Sequence, residues 1–182
     1  MNDLEVARRI AAGDGAAAEK LVRDHYPSVF RAMRHLTGHR EDAEDLTQQA
    51  FLVARGKIDT YRGAASLKTW LHRIAFNEYA MWKRKQRQTA PLTLDQPTDE
   101  AGYRSFVTGE ALLAALATLP EKLRVAFILH EVEAMKVEEV AKVLGVPNGT
   151  VKARLFYARR RLRAQLEEET EVAQHESKEV VA

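Results

Sequence analysis

Apolar residues recur through the first half of the chain at spacings of three and four, the rhythm of helices with one buried side. The pattern predicts a short helix over Asp3–Ala12, ended by Gly13. Asp14 is placed to cap the next helix, whose inward face is Ala18, Leu21, Val22, Val29 and Met33 and which stops near Gly38. Pro27 falls inside that run and predicts a kink or a break, because proline has no N–H to donate. A third helix is expected over Glu41–Lys57, with Ala43, Leu46, Ala50 and Val53 on one face. The stretch "IDTYRGAAS" reads as a loop. Ser66 or Thr69 can cap a fourth helix reaching about Arg87, with Leu67, Leu71, Ile74 and Tyr79 or Met81 turned inward.

The texture then changes. "TAPLTLDQPTDEAGYRSFVTG" mixes Pro, Gly and scattered acids and reads as a linker. Helices resume at Glu110–Thr118, break at Leu119-Pro120, and continue near Glu121–Glu133. The segment "EVAKVLGVPNGTVKARLFYARRRLR", Glu139 to Arg163, then gives a short helix, a Gly-centred turn and a longer helix. With no alternating strand pattern, the expected fold is all-α. It has two small helical domains, 1–88 and 109–168, joined by a flexible linker over 89–108 and followed by an acidic tail, 169–182, expected to fray.

Composition narrows the chemistry. The 182 residues are 46% hydrophobic and 30% charged, with few Gly and Pro, which supports helical cores. Cys is absent, which excludes disulfides and thiolate metal sites and fits a reducing cytoplasm. No secretory signal and no transmembrane run is expected, so no membrane insertion. The net charge of +2 hides segregation. Lys68–Gln88 holds six basic residues and one acid, Asn148–Leu166 six basic residues and no acid, and Glu41–Leu52 four acids and no base. Two basic helices and one acidic helix imply two kinds of partner, one of them a polyanion.

The last unit has the form of a helix-turn-helix, whose second helix enters the major groove. Val137, Val140, Ala141 and Leu144 face inward on the supporting helix, Gly145 can take the positive φ of the turn, and Asn148 can cap the second helix. Val151, Leu155, Ala158 and Leu162 form the buried stripe of that helix. Thr150 and Lys152, near its start, are expected at base edges, and the later arginines at phosphates. The module resembles the C-terminal promoter-reading domain of bacterial sigma factors.

The front half carries a second resemblance. "DAEDLTQQAF", the "YRG" loop, "TWLHRIAFN" and the closing basic run resemble the second conserved region of the same family, in the same order. Together the matches cover about residues 4 to 166 and point to the small two-domain, extracytoplasmic-function type. The resemblance implies a factor that binds core RNA polymerase and directs promoter-specific initiation. Its polymerase contacts would be the clamp helices of the largest subunit and the flap region.

By the same resemblance, Asp45, Gln48 and Gln49 dock on the clamp helices; Gln49 departs from the acid common there. The loop from Tyr61 to Lys68 and the helix after it read the melted −10 element. Asn77 lies near the captured base, and Lys68, Arg73, Lys83 and Arg84 hold phosphates. Tyr61 either stacks on a base or anchors its loop; Trp70 belongs to the core, and Trp82 could do either. In the last unit Thr150, Lys152, Arg154, Phe156, Arg159 and Arg160 read the −35 duplex. Phe156 touches a thymine methyl or packs internally. Tyr157 and His130 stand where the family often has basic residues. An anti-sigma protein is the further partner implied.

An enzyme is the rival class from another chemistry. It needs a nucleophile, base or metal in a constellation, and no cofactor or phosphate-loop motif is found. His39, Glu41, Asp42 and Asp45 cluster at a helix start, where solvated acids are favoured by the dipole without any metal. The second alternative is a stand-alone helix-turn-helix regulator that binds duplex DNA by itself.

Overall fold

The computed structural model describes the backbone of residues 2–89 and 109–179, and side chains over 2–88, 112–165 and 167. The expected linker lies outside the described residues apart from Thr89. The described residues are helical, with no strand among them.

Helix α1 (Asp3–Ala11) is capped by Asn2, whose side chain accepts from Glu5 N at 2.8 Å. Asp14 caps α2 (Gly15–Thr37) by accepting from Ala17 N at 3.0 Å, and Gly38 ends it at φ +77. Helix α2 runs through Pro27 without a break. Pro27 is exposed, and a proline ring on the outer side loses one hydrogen bond whose acceptor water can still reach. The inward face differs in detail from the expected one: Ala17 is buried, whereas Val22 is 40% exposed.

Helix α3 (Arg40–Lys57) packs on α2 and α4 (Leu67–Thr89). Thr47 is fully buried in α3 and returns its hydroxyl to the Ala43 carbonyl at 2.6 Å, which satisfies it inside the core. A 3-10 turn, Ile58–Thr60, leads into the loop. Ser66 caps α4 by accepting from Thr69 N at 3.1 Å, and Asp3 of α1 accepts from Leu67 N at 2.7 Å. Tyr79 is the inward residue near the end of α4; Met81 is 50% exposed.

The second half contains α5 (Gly109–Ala117), α6 (Glu121–Phe127), α7 (Val137–Leu144) and α8 (Asn148–Glu179). Helix α6 does not run on to Glu133 as one α-helix. It widens into a π turn over Ile128–Val132, and Ala134 follows at φ 52. Helix α8 continues past the expected limit near Leu166. Beyond Gly149 its sequence has no Gly or Pro to stop it and is rich in Glu, Arg and Ala, good helix formers.

The halves meet. Helix α4 packs against α7, and Lys142 Nζ donates to the Ala64 carbonyl at 3.0 Å. Thr69 donates to Glu139 at 3.0 Å. That bond adds to a bond from Lys136 N, which is the larger influence holding the Glu139 carboxyl below its ordinary range.

Candidate nucleic-acid interface

Helix α7 ends at Gly145, φ 65 and ψ 36, a left-handed conformation that a side chain would strain. Val146 N donates to Ala141 O at 3.2 Å across the turn. Pro147 occupies the cap position of α8, and its carbonyl accepts from Thr150 N at 3.0 Å; Asn148 is therefore the first helical residue and not the cap. Val151, Leu155 and Ala158 are buried, as expected, with Leu162 packed against the same core.

This stripe decides what α8 can present. Lys152, Phe156, Arg159 and Arg163 follow at spacings of four, three and four, so they share one outer face, and all are exposed. Arg160 adjoins that face. Arg154, half-buried, lies on the opposite flank from Lys152, because residues two apart on a helix do not face together. Thr150 is half-buried at the helix start. Phe156 stands 61% exposed, in an edge contact with Tyr157 at 5.4 Å, so it does not pack internally. Arg159 is tied back to Glu131 through Nε at 3.0 Å.

Helix α4 is the second basic element, and its cations part in two directions. Arg73, Asn77 and Arg84, spaced by four and seven, line one exposed face. Lys68 and Lys83 turn elsewhere: Lys68 Nζ donates to the Glu133 carbonyl, and Lys83 Nζ lies 3.3 Å from Glu121. Tyr61 is only 5% exposed. Its hydroxyl donates to Ala65 O at 2.6 Å, and its ring meets Trp70 edge-on at 5.5 Å. A ring so enclosed cannot stack on a base, so of the two readings of Tyr61 the loop anchor is the one the packing permits. Trp82 is half-buried, tilted against Tyr79 at 5.9 Å.

On α3, Asp45, Gln48 and Gln49 are all exposed and lie together. With Asp42, Leu46, Leu52 and Trp82 they line a groove of about 360 Å³. Leu52 is 63% exposed. Its part in this surface was missed in the sequence, although an apolar residue three and four places beyond the two glutamines, outside the buried stripe, was the signal. Among the described residues no group of three or more His, Asp or Glu is placed to hold a metal, and no helix is long and apolar enough to cross a membrane.

Comparison with known proteins finds two family matches along the chain. Residues 21–89 match the family Sigma-70 region 2, and residues 109–162 match Sigma-70, region 4. The chain is 33% identical to the ECF RNA polymerase sigma factor SigM of Mycobacterium tuberculosis, over 88% of this chain and 83% of that one. It belongs to the ECF RNA polymerase sigma factors. It is 36% identical to the SigE factor of Mycolicibacterium smegmatis, over 84% of this chain but only 64% of that longer relative. The solved structure of RpoE with the anti-sigma factor NepR from Bartonella quintana is similar at a TM-score of 0.70 and 27% identity, covering 82% of this chain and 96% of that one. CnrH, solved with the cytosolic domain of CnrY, shares the fold at a TM-score of 0.72 and 24% identity, covering 91% of this chain and 97% of that one. This sigma factor is accordingly a promoter-directing initiation factor and not an enzyme.

Proposed function

We propose that this sigma factor docks on core RNA polymerase through the α3–α4 groove, reads −35 duplex with α8 and captures the opened −10 strand with the face of α4. The groove carries the reading. A sequence-reading regulator acting alone has no use for an exposed Leu52 set among Asp45, Gln48 and Gln49 beside Trp82. Such a surface suits an Arg-bearing partner helix: the carboxylate and amides accept from guanidinium while Leu52 and Trp82 cover its stem.

The chemistry of opening needs no nucleotide. If Asn77 pairs with a base edge and Arg73 and Arg84 hold the backbone, unpaired strand binds better than duplex, and the melting equilibrium shifts by that difference alone. Lys152, Phe156, Arg159 and Arg163 form the groove-facing side of α8, with Phe156 available to a thymine methyl. Polymerase resides in the cytoplasm, and we place the factor there. RpoE was solved with an anti-sigma factor, and we extend that kind of partner to this chain.

The test is a pull-down on core polymerase with the variant Asp45→Lys, paired with run-off transcription with and without core. The expected result is an affinity lower by about tenfold with helicity unchanged, and no transcript without core. Wild-type affinity in the variant would remove the groove from the docking surface.

A further inference from the structure

The least expected group in the molecule is Glu133, a carboxylate with no exposed side-chain surface. Acids are almost never so buried unless paired. Its partners all come from the other half of the chain. Arg31 of α2 grips it with two parallel bonds, Nε to Oε1 at 2.7 Å and a terminal nitrogen to Oε2 at 3.0 Å. Ser28 Oγ donates to Oε2. His72 of α4 stands 4.0 Å away; its Nδ1 donates to the Lys68 carbonyl at 2.9 Å and its Nε2 lies 3.3 Å from Ser28 Oγ. Burial holds the His72 imidazole below its ordinary value, so it is not the main counter-charge.

We propose that Glu133 is an intramolecular latch that holds the two halves closed in the free protein and withholds Lys68 and Lys83 from nucleic acid. The proposal rests on α4 being the strand-capturing helix. Two groups offered to phosphate by that helix are already engaged by the second half. Lys68 is bound by the Glu133 carbonyl, and Lys83, with Arg87, by Glu121 at 3.3 Å. Phosphate and these acceptors compete for the same ammonium groups, so closure weakens strand capture at those positions.

The latch is built to open. The desolvation of a buried ion pair largely offsets its attraction, so its net worth is small while its geometry is specific. Ala134, next in the chain, sits at φ 52 without being glycine, a conformation that disfavours the turn aiming Glu133 inward. Arg31 remains half-exposed, so release returns it to water readily.

The experiment uses the full chain. Because it has no Cys, dyes placed on the exposed positions R23C and K122C report the separation of the halves by energy transfer. Glu133→Ala is compared with Glu121→Ala, which breaks the second contact at a partly exposed side chain and leaves the core intact. Both are expected to lower transfer. Together they should raise affinity for a single-stranded oligothymidine of about 20 nucleotides by about tenfold, the gain from removing a closed, binding-incompetent population. Adding Lys68→Ala should cancel part of the gain. Unchanged transfer and unchanged oligothymidine affinity in helical variants would overturn the latch; should Glu133→Ala lose helicity, the same two readouts on Glu121→Ala decide. Absence of run-off transcription by wild-type protein with core would instead fail the strand-capture reading, and neither latch readout depends on core.

Discussion

The basic stretches of α4 and α8, Lys68–Gln88 and Asn148–Leu166, each hold six basic residues and use them differently. On α8 a continuous buried stripe leaves Lys152, Phe156, Arg159, Arg160 and Arg163 outside, with Arg159 also tied to Glu131. On α4 the cations divide between an outer face, Arg73 and Arg84 with Asn77 between them, and an inner side where Lys68 and Lys83 meet acceptors of the second half. A basic run therefore does not by itself mark a nucleic-acid contact. What matters is which neighbours its helix is packed against, since a cation satisfied within the protein must exchange that partner before it can hold a phosphate.

The sharpest way to break this comparison is to remove the outer face of α4. Arg73→Ala with Arg84→Ala is expected to reduce promoter opening, read by permanganate reactivity of −10 thymines, by a factor on the order of 100, if each lost charged contact is worth about 1.5 kcal/mol. Equal opening in the variant would put the strand elsewhere. Next comes α8: Lys152→Ala should lower run-off from an intact −35 promoter by about tenfold, within the range of one good base contact. It should cause no further loss on a promoter whose −35 is scrambled. A loss just as large on the scrambled promoter would make Lys152 a general phosphate contact.

Smaller effects separate anchoring from reading. Tyr61→Phe removes only the hydroxyl bond to Ala65 and should reduce folding stability by about 1 kcal/mol, measured by urea unfolding. Transcription by the folded variant should match wild type. The smallest is the pH response. His25, His35 and His72 are each held below 6.5 chiefly by burial, so the native state favours their neutral forms. The unfolded chain then binds more protons just below pH 6.5. Stability should be full above that value and fall as the pH drops through it toward the lowered native values. A flat urea midpoint across that window would show these imidazoles to be freely solvated.

Much of this architecture was legible in the sequence because its signals are local. Helical period, Asp14 and Ser66 as caps, Gly38 as a helix stop, Gly145 at positive φ, and the stripe Val151–Leu155–Ala158 need no knowledge of distant residues. Asp45, Gln48 and Gln49 lie together because their spacing on one helix requires it. The hidden part depends on neighbours far along the chain. Glu133 reads as a surface acid until Arg31, 102 residues earlier, is brought beside it. Tyr61 reads as a loop aromatic until Trp70 closes over it. Periodicity also assumes an unbroken α-helix, so it carried Glu121–Glu133 straight through the π turn that re-aims Glu133.

On this reading both domains act on one promoter only when polymerase holds them. Fluorescence of 2-aminopurine placed in the −10 element of a duplex promoter measures base unstacking directly. The prediction is a rise with core and sigma factor together, no rise with either alone, and loss of the rise on Asn77→Ala with Arg73→Ala. A rise with the factor alone, or stacked bases in the assembled holoenzyme, would contradict it.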